Sequence, residues 1–346
     1  MSRSRTNLLL ARAATALGVE MTEVGSERSD WLARLRGHGR SVIISKTRSP
    51  FLTQVAQTLA NNKHTSREAI AARGVPVAPS LLLDERDDPR GDRVRHFLEC
   101  HGRIVVKPNW GNRAIGVTAD ISRIDEAARA IEHAREHDLD EETLLEPYLA
   151  GVNLRIAVIG GRYAAACEIR RPMLHGDGVR TIAELIAEID EDPRRGTWQD
   201  PALVPFDRIE PDDVLAEALG VRGLARDTVL ADGAVLELLG EEAETIDCTD
   251  EIHASWIAHA ETACAELGVD VGGVDLRGPA DAFRAPAGAG TAVVLEVNVL
   301  PALHLHALPS QGTPRPVFEA FVAYCLSLPG APAPCAAIGL ASSTKL

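Results

Sequence analysis

No stretch of this 346-residue sequence approaches the roughly 18 consecutive apolar residues that a membrane-spanning helix needs. No dense lysine–arginine block occurs either, and the net charge is −14, so a nucleic-acid or anionic-membrane surface is not its main business. The six cysteines (100, 167, 248, 264, 325 and 335) form no CxxC pair and read as reduced, mostly structural thiols of a cytoplasmic protein. There is no internal repeat, no GxxxxGK[ST] phosphate loop, no nucleophile elbow and no Cys/His signature. The start, MSRSRTNLLLARAATALGV, has the basic flank and apolar patch of a leader, but Arg12 interrupts the patch and its spacing fits an amphipathic helix.

What is present is 45% apolar content, in a chain long enough for a full core in two or three domains. Spacing predicts helices over 6–18, 51–61, 123–137, 179–190 (begun by Thr181) and 252–267. Another helix starts after Thr65-Ser66 and ends at Gly74-Val75-Pro76. Strands are predicted at 41–45, 103–106, 143–146, 154–159, 162–168, 270–276 and 291–298, with Gly160-Gly161 turning a hairpin. Residues 191–213 read as a polar, proline-rich connection, 278–290 as a loop, and the tail from 328 as unpacked. The class is α/β (α+β) with a mixed sheet.

Two segments carry chemistry. In AVVLEVNVLP, residues 292–301, a period of two puts Val293, Leu295, Val297 and Val299 on one face and Glu296 and Asn298 on the other. Burying a carboxylate and an amide unpaired is costly; a hard cation such as Mg²⁺ suits their oxygens, and water on a half-exposed strand is the plain alternative. In IVVKPNWGNRAIGVT, residues 104–118, Lys107 ends a buried strand before a loop holding Gly111, Asn112 and Gly116. Backbone N–H groups of such a loop cradle anions, and a lysine adds charge; an ordinary turn has the same look. Lys63, just before a helix start, is a second candidate for anion contact or a solvated lysine.

The order of Lys63, IVVKP with its glycine loop, LLEPYLAGVNLRIAVIGG, GGVDL and LEVNVLP resembles the ATP-grasp superfamily. Within it, NKHTSREAIAARGVPV, LHGDGVRTIAELI, DPRRG, IDCTDEIH and HLHALPSQGTPR are similar to the ATP-grasp part of cyanophycin synthetase and of bifunctional glutathione synthetases, over about residues 50–325. The resemblance implies an ATP-dependent carboxylate–amine ligase that works through an acylphosphate on amino-acid or small peptide substrates. It implies two lobes sandwiching ATP, 63–143 and 144–326, preceded by a pre-grasp α/β unit over 1–62 and followed by a mobile tail over 327–346. Lys63 and Lys107 match the lysines on the ATP phosphates, and Asn109–Val117, with Asn112 and Gly116, the loop that closes over them. Glu146, Pro147, Tyr148 and Leu149 match the adenine hinge, with Leu149 N–H as donor. Asn153 falls where relatives carry an acid for the ribose. Arg155 matches an arginine aimed at phosphate or acyl group, and Asp275, Glu296 and Asn298 match the ligands of two Mg²⁺ ions, replaceable by Mn²⁺. Arg170, Arg171, His175, Asp177 and His306 match substrate-side positions; His304 replaces an arginine, Arg315 binds a carboxylate or caps the last helix, and His253 reads as a helix start. Self-association is also implied.

Two departures stand out. Where relatives carry a basic stretch like RRNxNLSTGG, this chain reads LELLGEEAETIDCTDE, so its acyl donor or rate is expected to differ. The flanking domains of cyanophycin synthetase and the glutamate–cysteine ligase half of the bifunctional enzymes have no counterpart here, and a stand-alone ligase is the expectation.

Overall fold

A computed structural model describes residues 4–25, 30–111, 114–197, 203–239, 241–288 and 292–331. Helix α1 (Arg5–Ala16) leads into an antiparallel sheet of β1 (Glu20–Val24), β2 (Leu32–Gly37) and β3 (Arg40–Ser45). Leu9, Leu10, Ala13 and Ala14 recur at helical spacing and give α1 one apolar face. That face is buried with Leu35 and Ile44 of the sheet and with Phe318, Phe321 and Val322, some 300 residues further along. Helices α2 (Gln54–Asn61) and α3 (Lys63–Ala72) follow almost without a break. The second starts at Lys63, ahead of the Thr65-Ser66 signal, because the Asn62 side chain accepts from Thr65 N–H at 2.9 Å and takes the cap position.

A four-stranded sheet comes next. It is built from β4 (Leu81–Leu83), β5 (Ile104–Pro108), β6 (Thr118–Ile121) and β7 (Thr143–Pro147) in the order β4-β7-β5-β6. Helices α4 (Asp92–His101) and α5 (Ile124–Glu136) close its core, where Val94, Ala127 and Ile131 meet Leu83, Ile104, Val106 and Leu145.

The hairpin β8 (Val152–Ile159) and β9 (Arg162–Arg170) opens the largest sheet. An inserted unit interrupts it, with β10 (Met173–His175), α6 (Ile182–Ile189), β11 (Arg195–Gly196), β12 (Phe206–Asp207), α7 (Asp213–Val221) and β13 (Val235–Glu237). The insert has its own small core around Leu174, Ile182, Leu185, Leu219 and Leu236, and the polar connection over 191–213 carries two short strands, β11 and β12, before α7 begins. Thr181 caps α6 through a capping box with Glu184. The large sheet resumes with β14 (Glu244–Asp247), α8 (Ala254–Glu266), β15 (Val271–Gly278) and β16 (Val293–Asn298), in the order β14-β9-β8-β15-β16. His253 caps α8, and α9 (His304–Ala307) and α10 (Val317–Cys325) end the described chain. Ala60 of α2 and Ile70 of α3 join the core of this sheet and α8.

Both large sheets are antiparallel throughout, where the alternation of helix and strand suggests a mixed sheet. Among the described strands, parallel pairing is confined to β11 and β12 and to isolated bridges. No helix of the described residues is long and apolar enough to cross a membrane.

Strand β16 departs from a simple period of two. Asp275 pairs with Glu296 but Leu276 pairs with Val294, so Leu295 is an extra, bulged residue. Val294 and Val297 are consequently the buried pair, in place of the regular Val293-Leu295-Val297 face.

Candidate active site

The ladder register builds the site. Arg155 on β8, Asp275 on β15 and Glu296 on β16 are direct cross-strand neighbours, which places three charged side chains in one row on one face. Arg155 grips Asp275 with two bonds, Nε to Oδ1 at 2.6 Å and Nη2 to Oδ2 at 2.7 Å. Asn298 lies one step along, its Nδ2 donating to Asp275 Oδ2 at 2.9 Å and reaching Glu296 Oε1 at 3.4 Å. Two carboxylates and an amide are thus within one coordination shell, a hard-oxygen donor set that fits Mg²⁺. Holding the ion requires Asn298 to present Oδ1 instead of Nδ2, a half-turn of the amide.

Positive charge faces this row from the other sheet and from α3. Burial disfavours the charge on Glu296, yet Lys63, Lys107, Arg155 and Arg67 together hold its carboxyl below the usual range. Lys63 opens α3, where Nζ donates to Gly111 O at 2.7 Å, at the mouth of the glycine loop. The loop is anchored beneath by Asn109, whose Oδ1 accepts from His64 N–H at 2.8 Å and whose Nδ2 donates to Glu142 at 2.5 Å. Gly111 and Gly116 have φ of +134° and +71°, and a Cβ at Gly116 would come within 2.7 Å of Pro108. Asn112 lies outside the described residues.

Lys107 and Glu146 sit on neighbouring strands β5 and β7, both buried, with Nζ 2.5 Å from Oε1. The same oxygen is 2.5 Å from Arg67 Nη1. Burial pushes the Lys107 ammonium down to about 8, with Arg67 adding repulsion and Glu146 and Glu296 resisting. Burial also works against the Glu146 carboxylate, but Arg67 and Lys107 outweigh it and hold Glu146 at about 2. The Glu146 side chain is therefore the counter-ion of Lys107 and Arg67.

Arg67 has no place in the sequence expectation. It stands four residues after Lys63 on the same face of α3, a spacing that the helical period alone could have flagged. Besides pairing with Glu146, it donates through Nε and Nη2 to Leu295 O, each at 2.9 Å. That carbonyl belongs to the bulged residue, which the ladder leaves short of a partner.

The hinge itself is ordered around arginines. Tyr148 N–H donates to Arg103 O at 2.8 Å, and the Arg103 guanidinium lies 4.5 Å over the Tyr148 ring. Pro147 closes β7 in register with Ile104. Arg277, also unforeseen, donates from Nε to Leu149 O at 2.9 Å and from Nη1 to Asn153 Oδ1 at 2.8 Å. Asn153 thereby points its oxygen at an arginine, while its NH₂ remains available to a hydroxyl. Behind it, Gly151 at φ +120° meets Gly278, where a Cβ would fall 2.1 Å from Gly278 O.

The predicted substrate residues divide. Arg171 is half-buried, 3.7 Å from Glu237, and faces Glu242 and Asp275. His306 is buried near Arg155 with Nδ1 unpartnered, and burial with the nearby arginine pushes the ring down to about 3, so it is neutral. His304 behaves alike, also at about 3. Arg170 is half-exposed and engaged by Glu168 at 2.9 Å and Glu244 at 3.1 Å. Asp177 is likewise taken up by its own turn, accepting from the backbone of Val179 and Arg180 and from Arg180 Nε at 2.6 Å. His175 is exposed on β10. Arg315 is closed by Asp247 at 2.5 Å and Asp250 at 2.7 Å. The acidic replacement segment contributes Glu242, buried and raised in pKa by that burial, with Arg155 and Arg171 acting against the rise.

No family model matches the sequence. Cyanophycin synthetase of Trichormus variabilis is 34% identical over 266 residues, 75% of this chain and 28% of that protein. A bifunctional glutathione biosynthesis protein of Mannheimia succiniciproducens is 28% identical over 271 residues, 75% of this chain and 34% of that one. The chain is a member of the ATP-grasp superfamily. It spans about a third or less of the length of these curated relatives. Among solved structures, a bifunctional glutathione synthetase from Pasteurella multocida superposes with a TM-score of 0.56 and 22% identity, over 93% of this chain and 43% of that chain, which shows the shared ATP-grasp fold.

Proposed function

We propose that this ATP-grasp chain is an ATP-dependent carboxylate–amine ligase, acting on amino acids or short peptides and releasing ADP and phosphate. One observation carries the reading. Lys63 and Lys107 converge with the Arg155–Asp275–Glu296 row, so cations for phosphate face oxygen donors for Mg²⁺ across one site. In this reading ATP lies between the four-stranded and five-stranded sheets, with its base at Pro147–Leu149.

Lys63 and Lys107 hold the phosphates, and Lys107 is kept beside them by Glu146, whose carboxylate Arg67 also pairs. Asp275, Glu296 and Asn298 would hold Mg²⁺, which supplies charge neutralisation for phosphoryl transfer. Arg155, which holds Asp275 through Nε and Nη2, would turn its guanidinium to orient an acyl or phosphate oxygen. The donor carboxylate attacks the γ-phosphoryl group to give an acylphosphate, and an amine then displaces phosphate to leave the amide. The buried site excludes the water that would hydrolyse that intermediate.

Arg155 closing on Asp275 also favours a second reading, a nucleotide-binding module without turnover. Phosphate release from Mg-ATP, measured against single amino acids, pairs and short peptides with mass analysis of products, separates the two. A ligase gives pair-dependent release and a condensed mass. Glu296→Ala and Lys107→Ala should each lower release at least about a hundredfold while leaving the fold intact. Turnover at the wild-type rate in either variant removes the site assignment, and nucleotide binding without stimulated release selects the second reading.

A further inference from the structure

Away from the nucleotide site, the C-terminal end of α5 carries His133 in its last turn and His137 as its cap residue. Four positions apart on a helix, both rings project from one face. Their centroids are 4.7 Å apart and the rings cross at 82°. Glu217, from α7 of the inserted unit, reaches the same point, with Oε2 2.9 Å from His137 Nε2. One ligand atom from each of the three lies within 4.8 Å of the others. Among the described residues, no hydrogen bond engages either nitrogen of the His133 ring.

We propose that His133, His137 and Glu217 form a binding site for a zinc-class divalent metal, which straps α7 of the insert onto the end of α5. Two imidazoles and one carboxylate are the donor set of borderline cations such as Zn²⁺, whereas Mg²⁺ and Ca²⁺ take oxygen ligands. Tetrahedral coordination at about 2.0–2.2 Å places ligand atoms about 3.3 Å apart, so side-chain rotation closes the set and a water completes it. The helix end adds to this, because the last carbonyls of α5 carry partial negative charge that favours a cation. The strap lies beside the nucleotide loop. His137 Cβ is one of the atoms that a Cβ at Gly116 would meet, at 3.0 Å, and Arg222, capping α7, donates to Ala119 O at 3.2 Å. The proposal is independent of the ligase reading, since none of its residues belongs to that site.

Full-length protein is stripped with a chelator, then titrated with ZnCl₂ alone by calorimetry and with Co²⁺ by visible absorption. The expected result is one tight ion per chain and the d–d bands of a site with nitrogen ligands. Glu217→Ala and His133→Ala, both outside the cores, should each weaken binding at least about tenfold, since even an outer group that orients a ligand commands that much. His133→Cys should restore binding. Absence of tight zinc binding by the wild type overturns the proposal. So does wild-type affinity in both alanine variants, and loss of the zinc on Glu296→Ala would then place the ion at the Asp275 row.

Discussion

Burial lowers the pKa of the Lys107 ammonium to about 8. A phosphate chain needs the charged form, so nucleotide affinity should fall as pH rises past about 8, by about tenfold per unit well above that point. Lys107→Arg keeps its charge and should flatten the profile; calorimetric titration of Mg-ATP across that range tests it. Arg67 is a residue of another kind, its Nη1 paired with the buried Glu146 carboxylate while Nε and Nη2 donate to a bulge carbonyl. Arg67→Ala leaves Glu146 without its strongest partner and should destabilise the protein by about 3–5 kcal/mol in urea unfolding. Arg67→Lys should recover little, because an ammonium cannot serve both oxygens in fork geometry. The sequence makes Lys63, Lys107, Glu296 and Asn298 visible, since each sits at an element end or on the polar face of an apolar strand, and the family resemblance adds Asp275. It hides which arginines are free. Arg170 and Arg315 stand in segments as suggestive as that of Arg171, and only the fold brings Glu168, Glu244, Asp247 and Asp250 against them.

At the scale of elements, α3 is the bar on which the cationic side of the site is mounted. Its cap, Asn62, fixes the first turn and hence Lys63. Asn62→Ala should cost about 1 kcal/mol of stability by chemical denaturation and weaken nucleotide binding through Lys63, whereas Asn62→Ser should preserve both. The crossing of β8 and β15 is fixed by backbone contact. Gly151→Ala puts a methyl into Gly278 O and a side chain at φ +120°, and its melting temperature should fall by several degrees without any change in the charged residues. Strands with clean apolar runs, such as β5, β8 and β15, are legible from periodicity. β1 and β2 are not, because EMTEV and LARLRG mix charge into short, mostly half-exposed strands. The bulge at Leu295 escapes for a sharper reason: a period of two assumes equal residue counts on paired strands, and here the count differs by one.

For the whole molecule, the site lies where separate cores meet, so what binds there should brace them together. Mg-ATP at about 100 times its Kd should add about 2.7 kcal/mol to stability, seen as a higher melting temperature that Glu296→Ala reduces. Apart from α6, which Thr181 announces, the inserted unit is hard to read from sequence because its strands are two or three residues long and its one small core is assembled from segments spread over 174–238. The pairing of α1 with α10 has a consequence of another order. During synthesis, the apolar face of α1 emerges well before its partner on α10. At ~5–20 residues per second, the intervening 300 or so residues take roughly 15–60 s. For that interval Leu9, Leu10, Ala13 and Ala14 rely on the sheet β1–β3 and the other parts of their core for cover, so α1 waits on the ribosome for its α10 neighbours.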